Sequence, residues 1–153
     1  MNKVHFGHTA PDLTMATHTG EEISLADYRG NRPVVVFFYP SDGTPLCTKE
    51  ACAFRDSYEE FTEVGAAVIG ISGASVDKHR DFAQKHGLQF ILVADNDGSV
   101  RRAFGVPKTL GVFPGRVTYV IDREGIVRHV FNSQLATDRH VQEALDIVRE
   151  LKK

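Results

Sequence analysis

The sequence predicts an α/β fold in which a mixed central β-sheet is covered by helices on both faces. Apolar runs typical of buried strands alternate with amphipathic helical runs from about residue 34 to about residue 94, in the order βαβαβ. A hairpin signal and a last amphipathic helix follow. Units of this kind form parallel strand pairs with right-handed crossovers, and the hairpin adds antiparallel strands. The 153 residues are enough for one domain with a sizeable core, which we expect to span 1–153.

Short elements are predicted before the first long strand. An extended segment covers 11–14, and residues 16–25 have the pattern of a hairpin. Residues 24–28 are predicted to form a short helical turn. The run at 34–39 is apolar, β-branched and aromatic without interruption, so it predicts a buried strand at the centre of the sheet.

The later elements rest on periodicity and on capping residues. The helix that follows the central strand is predicted from apolar side chains at steps of 4, 3, 4 and 3. Helix ends are predicted from capping residues and glycines. In order, the predicted elements are a helix at 47–64 ended by Gly65, a strand at 67–72, a helix capped by Ser75 and ended by Gly87, a strand at 90–94, a turn at 95–98, a short helix at 99–104, strands at 116–121 and 126–131, and a helix capped by Thr137.

Cys47 is the first candidate for chemistry, because it lies in the first turn of a helix directly after a buried strand. The free N–H groups and the positive dipole end of a helix favour the thiolate, which is the nucleophilic form of cysteine. Thr44 lies three residues upstream, close enough to direct its hydroxyl at the sulfur, and Pro45 restricts the loop. The alternative is that Cys47 is a small buried residue on a core-facing stripe.

Cys52 follows on the same predicted helix, five residues after Cys47. Five helical residues advance ~7.5 Å and turn ~500°, so the second thiol points ~140° away and the Cα atoms lie ~8–9 Å apart. A disulfide requires roughly 4.4–6.8 Å, so the sulfurs can bond only after the first helical turns unwind. The spacing fits a cycle in which Cys47 is oxidised and Cys52 resolves it. The alternative is a bystander thiol.

The segment at 38–56, FYPSDGTPLCTKEACAFRD, closely resembles the active-site segment of peroxiredoxins. The second cysteine five residues on points to the bacterioferritin comigratory protein or peroxiredoxin Q subfamily. The resemblance begins at APDL (10–13) and includes GRVTYVID (115–122), which is similar to the family's strand with the active-site arginine. It implies a thioredoxin-like fold, the same layout that the predicted elements indicate. One departure is Leu46, where many members have glycine, and its side chain narrows the approach to the cysteine.

A guanidinium and a carboxylate are predicted to assist the thiol. Arg116 would stabilise the thiolate and then the charge on the departing oxygen. Its position alone favours an ordinary strand-end arginine, whereas the resemblance makes it the active-site one. Glu50 lies in the same first helical turn, and either orients Arg116 by pairing or serves as a favourable N-terminal acid. Arg55 and Arg102 are weaker candidates. The residues predicted to form the site are Cys47, Cys52, Thr44, Arg116, Pro40 and Glu50.

The predicted reaction is thiol-dependent reduction of hydrogen peroxide and organic hydroperoxides, with no metal, flavin or haem. A sulfenic acid forms on Cys47, and Cys52 condenses with it to give an intramolecular disulfide. The resemblance implies that thioredoxin, or a glutaredoxin, reduces this bond by exchange, and that the protein is a monomer. Leu46, Phe104 and Val112 are expected to add apolar contacts around an organic peroxide.

Two other functions use the same thiol. A thioredoxin-like disulfide oxidoreductase would need a CxxC pair, which is missing, and a proline directly before the opposing strand, whereas Pro114 is followed by Gly115 and Arg116. A non-enzymatic redox sensor or holdase would undergo the same oxidation without multiple turnovers. Catalytic consumption of peroxide separates this second alternative from an enzyme.

Composition excludes several broad classes. The net charge of −2 without a basic block gives no reason to expect nucleic acid or an anionic membrane as a partner. A hydrophobic content of 42% and a charged content of 25% are ordinary globular values. Two neighbouring cysteines do not form a secreted disulfide framework, the first eight residues lack an apolar signal segment, and no stretch is long enough to span a bilayer. We therefore expect a soluble, cytoplasmic protein.

Two further patterns predict structure rather than a ligand site. The seven histidines are scattered, so they are interpreted as solvated surface side chains. The DNDG run at 95–98 is interpreted as a turn, since no glutamate follows at the spacing of a calcium loop. The glycines match no phosphate-binding loop, which argues against a nucleotide cofactor.

Overall fold

The computed structural model describes residues 6–106 and 115–152 of the chain. Seven strands and five α-helices, with one 3₁₀ turn, occur in these ranges. The strands are β1 (Thr14–Ala16), β2 (Glu22–Ser24), β3 (Val34–Phe38), β4 (Ala67–Ser72), β5 (Ile91–Ala94), β6 (Val117–Ile121) and β7 (Val127–Asn132). The helices are the 3₁₀ turn Leu25–Tyr28, α1 (Pro45–Asp56), α2 (Tyr58–Glu63), α3 (Val76–His86), α4 (Ser99–Phe104) and α5 (Thr137–Lys152).

Five strands form one mixed sheet in the order β5–β4–β3–β6–β7. β3 is parallel to β4 and β4 to β5, whereas β3–β6 and β6–β7 are antiparallel pairs. Phe38 at the end of β3 pairs with Val117 at the start of β6. This register places Arg116, the residue before β6, beside the loop that leaves β3.

The predicted layout is confirmed, because alternate side chains of β3 enter two different core clusters. Val35, Phe37 and Tyr39 point to a cluster shared with α1, α2, α3 and α5. Val34 and Phe38 point to the opposite cluster, which includes side chains of β1, the 3₁₀ turn and α4. The sheet is therefore covered on both faces, as the uninterrupted apolar run of β3 requires.

The β1–β2 hairpin protects one edge of the sheet. Thr17 forms an isolated bridge with Val93 of β5, and the amide of His18 donates to the carbonyl of Leu92 at 2.9 Å. The imidazole Nδ1 of His18 in turn accepts from the amide of Leu92 at 3.1 Å. The amide and the carbonyl of Leu92 on the edge strand β5 are thus both satisfied by the hairpin.

The helix predicted at 47–64 is wrong in its bounds, because the structure divides it at Ser57 into α1 and α2. Ser57 has φ −98° and ψ 3°, outside helical values, and its amide donates back to the carbonyls of Ala53 and Arg55. Phe54 and Phe61, on either side of the break, stay in one core cluster with ring centroids 5.9 Å apart. Periodicity alone continues through such a break, because both helices use the same apolar face.

Of the two N-caps predicted for the later helices, Ser75 is confirmed and Thr137 is wrong. The Ser75 hydroxyl accepts from the amide of Lys78 at 3.1 Å, and Gly87 ends α3 in the left-handed region at φ 63°. Thr137, predicted as a cap, is instead the first residue of α5, and its buried hydroxyl has no hydrogen-bond partner within the described ranges. Ser133 accepts from the amide of Ala136 in the preceding turn at 3.1 Å.

Candidate active site

Cys47 lies in the first turn of α1, as the sequence predicts. Pro45 is the first helical residue, where its missing N–H removes no helical hydrogen bond. Thr44 is the N-cap residue in extended conformation, and its carbonyl accepts from the amide of Thr48 at 2.9 Å. The Cys47 side chain is buried, and its thiol is free. The sulfur therefore sits within the first turn, where backbone N–H groups have no helical partner.

Arg116 brings a fixed positive charge to this sulfur. Its Nη2 donates to Cys47 Sγ at 3.4 Å, its Nη1 donates to Glu50 Oε1 at 2.7 Å, and its Nε donates to the carbonyl of Gln134 at 3.0 Å. The guanidinium is 2% exposed. Burial by itself lowers the pKa of Arg116, but Glu50 and Cys47 raise it above its ordinary value, so the group stays charged. Three contacts hold a planar cation in one orientation against the thiol.

Glu50 pairs with Arg116, which favours the first of its two predicted roles. Because α1 begins at Pro45, Glu50 is in the second turn, and the first turn holds no acidic residue. The role as an N-terminal acid is therefore wrong. The carboxyl is fully buried, and desolvation raises its pKa to about 7 although Arg116 lowers it. Its Oε2 has no hydrogen-bond partner among the described residues.

A buried histidine stands behind this ion pair. His140 Nδ1 lies 3.6 Å from Glu50 Oε2 and 2.7 Å from the hydroxyl of Thr118, while Nε2 lies 2.7 Å from the carbonyl of Ser133. The carbonyl can only accept, so Nε2 carries the hydrogen and Nδ1 accepts from Thr118. Burial lowers the pKa of His140 to about 4. The imidazole is therefore neutral at pH 7, and Arg116 is the cation that faces Glu50.

The remaining predicted residues border the thiol without touching its sulfur through a hydrogen bond. Thr44 is exposed, and its hydroxyl donates to the carbonyl of Ser41 at 3.4 Å rather than to Cys47. Pro40 is half-buried at the start of the loop. Leu46 is 36% exposed beside the cysteine. The structure thus brings Cys47, Arg116 and Glu50 together and leaves Thr44 and Leu46 exposed beside them.

Cys52 is half-buried, and its thiol is free. It occupies the same continuous helix as Cys47, as the spacing predicts. An intact helix keeps the two Cα atoms beyond disulfide range, so this structure corresponds to the reduced arrangement. Any bond between the two sulfurs requires α1 to unwind at its start.

Several weaker candidates have other places in the structure. Arg55 donates to the carbonyl of His86 at 2.8 Å, and Arg102 to the carbonyl of Asp97 at 2.8 Å, so neither contacts the thiol. Phe104 is fully buried against Phe38 in the cluster on the opposite face of the sheet, so the expected contact with an organic peroxide is wrong for this residue. Val112 and Pro114 lie outside the described residues.

The interpretation of all histidines as surface side chains is wrong for two of them. His79 on α3 and His140 on α5 are both fully buried. His79 shares its helical face with Phe82, and His140 shares its face with Ala144, at the i+3 and i+4 spacings that mark core positions. This spacing was the available sequence signal. Within 6–106 and 115–152, no group of His, Cys, Asp or Glu side chains could hold a metal ion.

A thiol at a helix N-terminus under a buried guanidinium, on a thioredoxin-like sheet, defines a cysteine-dependent redox protein. The model of the AhpC/TSA family matches residues 6–130 of this chain. The chain is 48% identical to the chloroplastic peroxiredoxin Q of Sedum lineare over 151 residues, covering 98% of this chain and 81% of that protein. It is 47% identical to the chloroplastic peroxiredoxin Q of Arabidopsis thaliana over 148 residues, covering 96% of this chain and 68% of that protein.

Solved structures of peroxiredoxin-type proteins are also similar to this chain. The peroxidoxin BcpB of Mycobacterium tuberculosis is 39% identical with a TM-score of 0.88, covering 96% of this chain and 97% of that one. A peroxiredoxin Q of Xanthomonas campestris is 30% identical with a TM-score of 0.85, covering 92% of each chain.

The chain therefore belongs to the AhpC/TSA family, among the peroxiredoxins of the Q or bacterioferritin comigratory type. The predicted resemblance and the thioredoxin-like fold are confirmed. The protein is a thiol-dependent peroxidase, for which the family implies peroxide substrates and a thioredoxin-type reductant. No helix among the described residues is long and apolar enough to cross a membrane.

Proposed function

We propose that Cys47 is the peroxidatic nucleophile and Cys52 the resolving thiol of a two-cysteine peroxidase cycle. The observation that carries the assignment is the 3.4 Å contact from Arg116 Nη2 to Cys47 Sγ in the first turn of α1. A guanidinium at this distance stabilises the negative sulfur, and then the negative charge that develops on the departing oxygen. Glu50 holds the guanidinium in place from its other side.

In the first step, the Cys47 thiolate attacks the terminal oxygen of the hydroperoxide. The new S–O bond forms as the O–O bond breaks, and the departing oxygen takes a proton from solvent to leave as water or an alcohol. The sulfur is oxidised to the sulfenic acid. We propose that the hydroxyl of Thr44, which is exposed at the N-cap and does not cap the helix, binds the peroxide, and that Pro40 shapes the start of the loop.

In the second step, the start of α1 unwinds and the Cys52 thiolate attacks the sulfur of the sulfenic acid. The S–S bond forms, the S–O bond breaks, and the hydroxide that leaves takes up a proton to become water. A dithiol of the thioredoxin or glutaredoxin type then reduces the disulfide by exchange and is itself oxidised. Two electrons thus pass from the external dithiol to each peroxide molecule.

The test is reaction of the fully reduced protein with one equivalent of hydrogen peroxide, followed by mass analysis of the intact and digested protein. The proposal expects the loss of two hydrogens and a link between the peptides that contain Cys47 and Cys52. A stable added oxygen on Cys47 alone would point to a one-cysteine peroxidase, and no modification at Cys47 would refute its role.

Two single-thiol variants complete this test. Cys47→Ser is expected to consume no peroxide, because the nucleophile is missing. Cys52→Ser is expected to consume one equivalent and to stop at the sulfenic acid, which dimedone would trap. An intramolecular disulfide in Cys52→Ser, or full peroxidase turnover in Cys47→Ser, would contradict the assigned roles.

We propose that organic hydroperoxides are substrates as well as hydrogen peroxide. A bacterioferritin comigratory protein of Xanthomonas campestris, 31% identical to this chain, is described as having alkyl peroxide reduction activity. The half-exposed Leu46 next to Cys47 offers an apolar contact for an alkyl chain. Leu46→Gly is therefore expected to lower kcat/KM for cumene hydroperoxide more than for hydrogen peroxide. Equal changes for the two substrates would remove Leu46 from substrate selection.

We further propose that the chain is one domain, and that it works as a monomer in the cytoplasm. Both core clusters share the same sheet, and the β1–β2 hairpin protects the β5 edge from a second copy. A reducing compartment suits free thiols that an external dithiol must regenerate. The curated relatives compared above are chloroplastic, so fractionation of the cells that make this protein is needed to test the location. Light scattering of the reduced and oxidised protein tests the monomer, and limited proteolysis tests the single domain.

A further inference from the structure

We propose that Asp42, held by His79 and Tyr39, anchors the loop that presents Thr44 and Cys47, and that His79 is a positioning residue for the peroxidase reaction. The inference rests on the proposed function, because it concerns how that site keeps its geometry. It assigns a task to a buried polar cluster that the reaction steps above do not use.

Asp42 is the only buried side chain in the stretch 40–46, all of which is described. The residues from Gly43 to Leu46 are exposed, so the part of the loop after Asp42 has no buried apolar side chain that could hold it against the protein. A buried carboxyl group is costly unless its oxygens are hydrogen-bonded or paired. Both oxygens of Asp42 have partners: Oδ1 accepts from the hydroxyl of Tyr39 at 2.6 Å, and Oδ2 lies 2.7 Å from His79 Nδ1.

The hydrogen-bond partners of His79 show that a hydrogen atom lies between His79 Nδ1 and Asp42 Oδ2. His79 Nε2 lies 2.9 Å from the carbonyl of Val93, which can only accept, so Nε2 carries a hydrogen. Nδ1 faces a carboxyl oxygen, so either Nδ1 or Oδ2 carries a second hydrogen and the bond is made in both cases. Desolvation, followed by the neighbouring Asp42, raises the pKa of Tyr39 well above its ordinary value, which keeps its phenol a donor. Every polar group of the cluster is thereby satisfied.

The anchor joins the loop to parts of the protein that do not contain the reactive thiol. His79 belongs to α3, Val93 to β5, and Tyr39 directly follows β3. Asp42 bonds directly to Tyr39 and His79 and is linked to Val93 through His79. Gly43 then turns the chain at φ 85° toward Thr44, the N-cap of α1. The contacts of Asp42, two residues before the N-cap, thus fix the position of the first turn of α1. Because attack on a peroxide needs alignment to within about 1 Å, loss of this anchor is expected to slow the reaction on the order of 10-fold to 100-fold.

The variants at Asp42 separate anchoring from charge. Asp42→Ala removes the anchor. Asp42→Asn keeps it, because the amide oxygen accepts from Tyr39 and the amide nitrogen donates to the Nδ1 of a neutral His79. His79→Phe fills the site but leaves Asp42 without its partner. Tyr39→Phe removes one hydrogen bond, keeps the ring, and serves as the milder variant if the others unfold.

Three measurements are made on each reduced variant: the rate of Cys47 oxidation by peroxide in a single turnover, the rate of its alkylation by iodoacetamide, and the hydrogen exchange of the amides of residues 43, 44, 46 and 47, since Pro45 has no N–H. Asp42→Ala and His79→Phe are expected to oxidise about 10-fold to 100-fold more slowly without an equal fall in alkylation, and to exchange faster at 43–47. Asp42→Asn is expected to stay within about 3-fold of the original protein in all three. Val127→Ala, which removes buried volume on the opposite face of the sheet, is the control for lost stability alone.

The inference is overturned if Asp42→Ala keeps the original oxidation rate and exchange, if Asp42→Asn is as slow as Asp42→Ala, or if Val127→Ala slows the reaction equally. Failure of the proposed function has a different signature. In that case the unsubstituted protein does not oxidise at Cys47, while faster exchange at 43–47 in Asp42→Ala but not in Asp42→Asn still supports the anchor.

Discussion

Arg116 connects the thiol of Cys47, the proposed nucleophile, to the rest of the protein through one planar group. Its three donor nitrogens reach the sulfur of Cys47, the carboxyl group of Glu50 and the carbonyl of Gln134. The first contact stabilises negative charge on sulfur, and the other two prevent the guanidinium from turning away. A side chain with a single charged nitrogen could not make these three contacts in the same directions.

Replacement of Arg116 tests whether the planar shape of the guanidinium matters as well as its charge. Arg116→Lys is expected to lower the single-turnover rate of Cys47 oxidation by about 10² or more, because one ammonium cannot reach the sulfur while it pairs with Glu50. Stopped-flow measurement with hydrogen peroxide gives the rate. Arg128→Lys, at a half-exposed ion pair with Asp122, is the matched control and should react at the original rate. An unchanged rate in Arg116→Lys would mean that charge alone is sufficient.

The buried carboxyl group of Glu50 predicts how stability depends on pH. Its pKa is about 7 in the folded protein, against an ordinary value of 4.5 in the unfolded chain. The folded protein therefore binds more protons between these values, and the free energy of unfolding falls as pH rises through them. Arg116, the residue before β6, and the neutral His140 of α5 face this group. The shift corresponds to a loss of at most about 3 kcal/mol from pH 5 to pH 8.

Glu50→Gln removes this titration while it keeps the shape of the side chain. The free energy of unfolding of the original protein minus that of Glu50→Gln is expected to decrease from pH 5 to pH 8, and urea melts at four pH values measure it. Subtraction cancels the opposite contribution of His140, whose lowered pKa makes stability rise with pH between about 4 and 6.5. A difference that stays constant or increases with pH would contradict the protonation assigned to Glu50.

Helix α1 has two halves with different attachments. The N-terminal half is held by Cys47 and Glu50 through contacts to Arg116. In the C-terminal half, the ring of Phe54 stacks on Phe37 with centroids 4.2 Å apart, and Arg55 donates to a carbonyl at the end of α3 at 2.8 Å. Polar contacts can exchange for water, whereas a buried aromatic stack cannot separate without losing apolar burial.

The unwinding that the disulfide requires is therefore expected to stop before Phe54. On conversion of the reduced protein to the disulfide form, hydrogen exchange should increase at amides 48–52 and stay slow in β4 and in the second half of α1. Exchange detected by mass spectrometry of peptic peptides measures this. Cys52→Ser treated with the same peroxide is the control, and its amides should remain protected. Exchange that increases through all of α1 and α2 would show that the aromatic stack does not limit the unwinding.

At the scale of the whole molecule, the site exists because the sheet brings together segments that are distant in sequence. The antiparallel pairing of β3 with β6 puts the loop after β3 next to Arg116, and the packing of α5 behind β6 supplies His140. The thiol and the carboxylate share α1, and strand register rather than local sequence brings the cation to them. Unwinding of the start of α1 therefore also disrupts the contacts of Arg116 with Cys47 and Glu50.

Disulfide formation is consequently expected to lower the stability of the whole protein. A cross-link that closes a loop of about six residues constrains the unfolded chain by only about 2 kcal/mol. Breaking a buried ion pair by removing one partner costs about 3–5 kcal/mol, and the exposure of Cys47 and Ala51 adds to this. The Tm of the oxidised protein should therefore be lower than that of the reduced protein in calorimetry. A higher Tm after oxidation would mean that Arg116 and Glu50 keep their contact in the disulfide form.

Much of the fold was predictable because its signals are local. The apolar run of β3, the glycine that ends α3 and the cysteine spacing on α1 each depend on neighbouring residues, and the structure contains all three. The break at Ser57 was not predictable, because the same apolar face continues across it. The burial of His79 was indicated by its i+3 spacing to Phe82 but was missed. Its partner Asp42 could not be predicted, because a polar side chain at a core-facing position reveals nothing about the group that satisfies it.

The sequence by itself determined the class of fold, and it predicted Cys47 as the reactive thiol, since a cysteine after a buried strand and at a helix start has a distinctive pattern. It also determined that Cys47 and Cys52 cannot bond within an intact helix, which follows from helical geometry alone. Only the tertiary structure decided that Glu50 pairs with Arg116 and that His79 holds Asp42. These contacts join residues 66 and 37 positions apart, and strand register and helix packing place such partners together.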